Sequence, residues 1–195
     1  MIRVVIPAGR YYFMKILGLV GSPRREGNTH LLVSGILEGA REKGAETKLV
    51  LLGELEIGEC DGCHACWESR KCARKDDMSA LYEDISGSDV LVLGTPVYWY
   101  APSALMKVFI DRLVYFNCPE NREAVRGKRA VIAVPFEEND RRAAAPVVGF
   151  FKKVLSYLEM EFFAGIVAPG VSERGEVLGK AAVMRKARAV GRSLT

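Results

Sequence analysis

The sequence predicts an α/β fold: a doubly wound, five-stranded parallel sheet with helices on both faces, three layers in all. Three observations predict it. Five short apolar runs alternate with stretches of helical periodicity. One run, DVLVLG at 89–94, is apolar almost throughout, as a parallel strand covered on both faces must be. The first run ends in Gly21-Ser22-Pro23 ahead of a helical stretch, the join expected of a βα unit.

The first strand reads at 15–20. A helix follows at about 29–43, with Leu31, Leu32, Ile36, Leu37 and Ala40 on one face. The second strand reads at 47–52, and a short helix at 78–86 turns Leu81, Tyr82 and Ile85 inward. After the third strand at 89–94, Pro96 and Pro102 bracket a loop. Ser103 can cap a helix running to about 116, with Leu105, Met106, Phe109, Ile110 and Leu113 as its apolar face. The fourth strand reads at 130–134, a helix at 147–158, the fifth strand at 161–167 and a closing helix at 177–193. Right-handed crossovers leave few topologies for this order. One domain is expected over 14–195, since 195 residues is about the size of a single domain. Met14 is the expected natural start, with 1–13 an extension outside the fold.

Hydrophobic residues make up 49% and charged residues 27%, an ordinary globular balance. No apolar run approaches the ~18 residues of a membrane span. Arg3, Pro7 and Arg10 break up the N-terminal residues, which do not form a secretory segment. The expectation is a cytoplasmic protein with no membrane partner. The net charge of +4 is spread along the chain. Arg185, Lys186, Arg188 and Arg192 read as the solvated face of the last helix. No aromatics are interleaved with them, so nucleic acid is not an expected partner.

Three segments carry chemistry. The loop Gly21-Ser22-Pro23-Arg24-Arg25-Glu26-Gly27-Asn28-Thr29 lies between the first strand and its helix. Ligands of open α/β sheets bind at the carboxyl ends of the strands, where a helix N-terminus suits a phosphate. Ser22, Asn28 and Thr29 can add donors, and Arg24 a charge. The loop is neither a Walker A loop nor GxGxxG. An ordinary capped turn is the alternative.

The second segment, Thr95-Pro96-Val97-Tyr98-Trp99-Tyr100, follows the third strand. Three consecutive aromatics in a loop cannot all enter one core. A flat cofactor ring can stack on one or two of them, with Thr95 and the N–H groups of Val97 and Tyr98 at its polar edge. A hydrophobic contact with another subunit is the alternative, and one loop can serve both.

The third segment holds four of the five cysteines within thirteen positions: Cys60, Cys63, Cys66 and Cys72, spaced C-x2-C-x2-C-x5-C. In a reducing compartment this is a metal or redox motif rather than a disulfide framework. The compact spacing suits [4Fe–4S]. Zinc usually pairs two C-x2-C units across a longer spacer. Cys60-Asp-Gly-Cys63-His64 also fits a haem-attachment pattern literally, but that leaves Cys66 and Cys72 unexplained. Plain loop thiols are a further alternative. Arg70, Lys71, Arg74 and Lys75 surround the last cysteine, either as a solvated segment or as charges that offset a cluster. His30 and His64 read as helix-face and loop residues, Cys118 as an inert thiol, and Asp111 and Arg112 as structural.

Taken together, GSPRREGNT, the cysteine motif and TPVYWYAPSALMKVFIDR resemble the NADPH-dependent FMN reductase superfamily. Within it, the cysteine spacing is similar to that of the iron–sulfur flavoproteins. The resemblance is best over 15–134. It implies a flavodoxin-like fold, FMN as cofactor, and a homodimer or homotetramer. Carried over, Ser22, Arg24, Asn28 and Thr29 hold the FMN phosphate. Thr95, Pro96, Val97, Tyr98 and Trp99 line the isoalloxazine, and Cys60, Cys63, Cys66 and Cys72 bind [4Fe–4S]. The implied donor is a ferredoxin-like protein, or NAD(P)H in the reductase alternative, and the acceptor is a small molecule. The family's loop after the fourth strand is usually glycine-rich, whereas here 135–142 reads PFEENDRR.

Overall fold

The computed structural model describes residues 13–195. The extension expected at 1–13 lies outside the described residues, apart from Phe13.

The chain opens with β1, Lys15–Val20, and α1, Asn28–Arg41. Strand β2, Glu46–Leu51, leads into a turn of 3₁₀-helix at Leu52–Glu54. The cysteine segment contains a short helix, α2, Ala65–Ser69, and α3 follows at Met78–Gly87. Next come β3, Val90–Gly94, and a hairpin of β4, Val97–Tyr98, with β5, Ala101–Pro102. Helix α4, Ala104–Arg112, continues as 3₁₀-helix over Leu113–Asn117, and α5 is Pro119–Arg122. The chain closes with β6, Arg129–Pro135; α6, Ala145–Tyr157; β7, Glu161–Ala168; and α7, Ala181–Arg192.

The main sheet has the order β2-β1-β3-β6-β7, and every pair is parallel. Chain progression therefore reverses between β1 and β3, which opens a crevice above their carboxyl ends. Central β3 is buried at every position, and edge strand β2 is not. Alternate strand residues face opposite layers. Leu17, Leu19, Leu91 and Leu93 meet the residues of α3, α4 and α6, whereas Ile16, Val20, Val90 and Val92 meet α1 and α7. Helices α1 and α7 approach closely, because a Cβ at Gly191 would overlap the Ile36 carbonyl.

Two expected helices are divided. The one expected to run to 116 changes to 3₁₀ geometry after Arg112, whose side chain is drawn inward. The last begins as a separate 3₁₀ turn at Glu176–Gly179, set by left-handed Gly175, and α7 starts afresh at Ala181. Among the described residues no helix is long and apolar enough to cross a membrane.

Candidate functional site

Above β1, β3 and β6 lies a cleft of about 840 Å³. The first loop contributes Ser22, Arg24, Asn28 and Thr29, and the hairpin contributes Pro96, Val97, Tyr98 and Trp99. The fold thus gathers two segments some seventy residues apart in sequence. Thr95 stands behind this wall. It is fully buried, and its hydroxyl accepts the Ser103 N–H at 3.0 Å and donates to the Pro96 carbonyl at 3.0 Å. Ser103 donates in turn to the Gly21 carbonyl, tying the first loop to the base of the hairpin.

Helix α1 begins at Gly27 without a side-chain cap. The N–H groups of its first turn are donors without intrahelical partners, at the positive end of the helix dipole. Arg24 and Asn28 are partly committed elsewhere. Arg24 Nη1 donates to the Ser172 carbonyl at 3.0 Å. Asn28 Nδ2 donates to the Glu173 carbonyl at 2.9 Å, and its Oδ1 accepts the Val177 N–H at 3.0 Å. Both residues therefore pin the segment after β7 to the rim of the cleft. An uncapped helix start, flanked by the hydroxyls of Ser22 and Thr29, fits a phosphate, and the aromatic wall fits a planar ring.

The hairpin turns on Trp99 and Tyr100, which both have positive φ, 51° and 61°. Two left-handed residues in a two-residue loop make the type I′ geometry, which ordinarily selects Asn-Gly. Trp99 is 95% exposed at the rim. Residues that hold such conformations cluster at functional sites.

The wall opposite the hairpin was not among the residues picked from the sequence. It consists of Phe136, Glu137 and Glu138 after β6, with Val171 and Ser172 after β7. Their position at the carboxyl ends of the last two strands was the available signal.

A second, narrow cavity of about 30 Å³ is lined by Cys60, Cys63, Cys66 and Cys72, together with Tyr82, Arg112 and Tyr115. Three left-handed residues, Gly62, His64 and Arg70, wind the loop so that the cysteines share this cavity. Asp61 accepts the Cys63 N–H at 3.1 Å and braces the turn. The neck of the loop is closed by Asp77 accepting the Glu56 N–H at 2.8 Å and Asp76 accepting the Gly58 N–H at 3.1 Å. All four thiols are free; Cys63 is exposed and Cys66 buried. Burial pushes the Cys66 thiol up, and Cys72, Cys60 and Cys63 push it further. The rings of Tyr82 and Tyr115 stack at 4.0 Å behind them. Cys118 lies apart from this cavity, its Sγ donating to Glu120 Oε2 at 2.9 Å.

The cavity carries a second sign of an acceptor. Arg74 Nε is buried beside it without a hydrogen-bond partner. Burying an unpaired donor is costly, and thiolate or sulfide sulfur would satisfy it. Among the described residues no three His, Cys, Asp or Glu side chains converge as they would around a single ion. A four-iron cluster places each thiolate on a different iron, so it requires a shared pocket and not one meeting point. The donor set fits such a group.

Comparison with known proteins adds the family. An iron–sulfur flavoprotein of Methanocaldococcus jannaschii is 41% identical over 99 residues, which is 51% of this chain and 51% of the relative. One from Archaeoglobus fulgidus is 34% identical over 115 residues, 59% of this chain and 51% of the relative. The chain thus spans about half the length of these curated relatives. Among solved structures, an NAD(P)H:quinone oxidoreductase from Methanothermobacter marburgensis superposes with a TM-score of 0.73 at 18% identity, covering 94% of this chain and 96% of that one. That likeness speaks to the flavodoxin-like fold. Residues 14–170 match the NADPH-dependent FMN reductase family, and the chain belongs to it.

Proposed function

We propose that this chain is a flavin-dependent oxidoreductase that binds FMN in the large cleft and a [4Fe–4S] cluster on Cys60, Cys63, Cys66 and Cys72. The observation that carries the reading is the gathering of all four cysteines around one cavity beside an unpartnered Arg74 Nε. When bound, the cluster supplies single electrons and the flavin exchanges them in ones or pairs. The chain does the rest. The first turn of α1, with Ser22 and Thr29, holds the phosphate; Tyr98 and Trp99 cover the ring; the cysteine loop fixes the metal. Electrons come from a ferredoxin-like donor and leave to a small acceptor. The exposed aromatics of the hairpin suit contact with another copy in a homodimer or homotetramer, and the setting is cytoplasmic.

Iron and acid-labile sulfide analysis of anaerobically purified protein, with its visible spectrum, tests this. About four irons and four sulfides per chain are expected, with a broad shoulder beside the flavin bands. Flavin bands without iron, after attempted reconstitution, would leave an NAD(P)H-dependent FMN or quinone reductase. The volume of the cleft, about 840 Å³ beside an exposed Trp99, favours that second reading. Rapid anaerobic bleaching of the flavin by NADPH would support it.

A further inference from the structure

Arg112 ends α4 in the sequence IDR, where a basic residue usually meets solvent and the helix dipole. Here its guanidinium is 1% exposed. Its Nη1 donates to Asp76 Oδ2 at 2.5 Å and to the Gly58 carbonyl at 2.8 Å. Its Nη2 donates to Asp76 Oδ1 at 3.1 Å and to Cys72 Sγ at 3.3 Å. One side chain thus reaches both sides of the loop's neck and the last of the four cysteines.

We propose that Arg112 is a positioning residue for the iron–sulfur cluster: it holds Cys72 as the fourth ligand through an N–H···S hydrogen bond and raises the cluster's reduction potential. The inference rests on the cluster reading above.

Two arguments carry it. A buried ion pair is a poor way to stabilise a fold, since apolar residues of similar volume do as well or better. Arg112 and Asp76 therefore call for a role beyond packing, and the guanidinium supplies one: Nη2, already bonded to Asp76, donates its second hydrogen to sulfur. Among the described residues, Cys72 is the one cysteine of the four whose sulfur accepts such a bond. The second argument is electrostatic. Hydrogen bonds to ligand sulfurs and the local net charge are the protein's levers on cluster potential. An added electron makes the cluster more negative, so the N–H donor at the sulfur favours the reduced form, while the Asp76 carboxylate offsets the guanidinium's net charge. The planar fork is needed to hold Asp76 and Cys72 together, and a compact ammonium cannot do both.

The test is a redox titration of the cluster, followed by electron paramagnetic resonance, in wild type, Arg112→Lys and the double variant Arg112→Gln/Asp76→Asn. The double variant leaves no unpaired buried carboxylate. Iron, FMN and the thermal midpoint are measured in each. The expected result is a more negative cluster potential in the double variant. At the wild-type midpoint its reduced-to-oxidised ratio falls about tenfold, or about 59 mV for one electron. Arg112→Lys falls between. Loss of iron from both variants, with FMN and thermal midpoint retained, also supports the proposal, because the fourth ligand is then no longer held. Full iron with an unchanged potential in both overturns it. So does loss of FMN together with a lowered midpoint in both, which marks a purely architectural anchor. A wild type without iron after reconstitution refutes the cluster reading itself, and is told apart by that.

Discussion

Ser103 bonds the Gly21 carbonyl through its hydroxyl while the same oxygen accepts the Met106 N–H at 3.2 Å. A single side chain therefore starts α4 and fastens the loop after β1 to the hairpin after β3. Replacing it with alanine removes a helix cap, worth about 1–2 kcal/mol. It also strands a buried carbonyl. Urea denaturation of Ser103→Ala should show at least that loss, and flavin titration should show weaker binding, since the loop after β1 and the hairpin are joined by this contact.

The turn at Trp99 and Tyr100 yields the opposite sign. Each left-handed side chain costs on the order of 1 kcal/mol or more. The variant Trp99→Asn/Tyr100→Gly supplies the residues the turn prefers and removes little packing, because Trp99 is 95% exposed. Its thermal midpoint should rise by a few degrees, about 2–4 °C per kcal/mol at this size. Flavin affinity or turnover should fall. An unchanged midpoint would show that the turn carries no strain.

Asp76 makes stability depend on acid. Burial raises its carboxyl, but the Arg112 guanidinium and the Gly58 and Met78 N–H groups outweigh that and hold it below the ordinary value. A carboxyl lowered in the folded state contributes in full above its unfolded value, ~3.9. The contribution is lost as the pH falls through the folded value. Urea midpoints from neutral pH downward should show wild type well above Asp76→Asn, which breaks a buried pair at a cost of about 3–5 kcal/mol. The two curves should converge in acid. Parallel curves would exclude Asp76 as the source.

The cysteines divide by place. Cys66→Ala, in the shared cavity, should abolish iron binding after reconstitution, whereas Cys118→Ala, outside it, should keep the wild-type iron content. Iron analysis of the pair checks both. Equal losses would show that the motif and the cavity do not define the site.

Much of this was legible in the chain because it is local. DVLVLG is a buried central strand from its own composition, and the cysteine spacing announces itself. The three segments singled out from the sequence line the two cavities, the larger together with residues 136–138 and 171–172. What escaped depends on distant partners. Asn28 reads as a phosphate donor, yet it also clamps residues 173 and 177, about 150 positions away. Arg112 reads as structural, but nothing beside it in sequence shows that a loop neck will close over it or that it will reach Cys72. Trp99 and Tyr100 carry no turn signal, so the hairpin was hidden behind residues that dislike its geometry. Thr95 reads as a ring contact, but its hydroxyl is turned to Ser103 within the protein.

Helix α4 begins at the cleft and ends at the cysteines, nine residues from Ala104 to Arg112. At ~1.5 Å a residue that is a rod of about 13 Å. Its residue count acts as a ruler between the two cavities. Substitutions on its outer face leave the gauge unaltered. One inserted residue would lengthen it by ~1.5 Å and swing Arg112 about 100° around the axis, away from Cys72. A substitution on the surface of α4 thus keeps the spacing of the two cavities, whereas an insertion alters it.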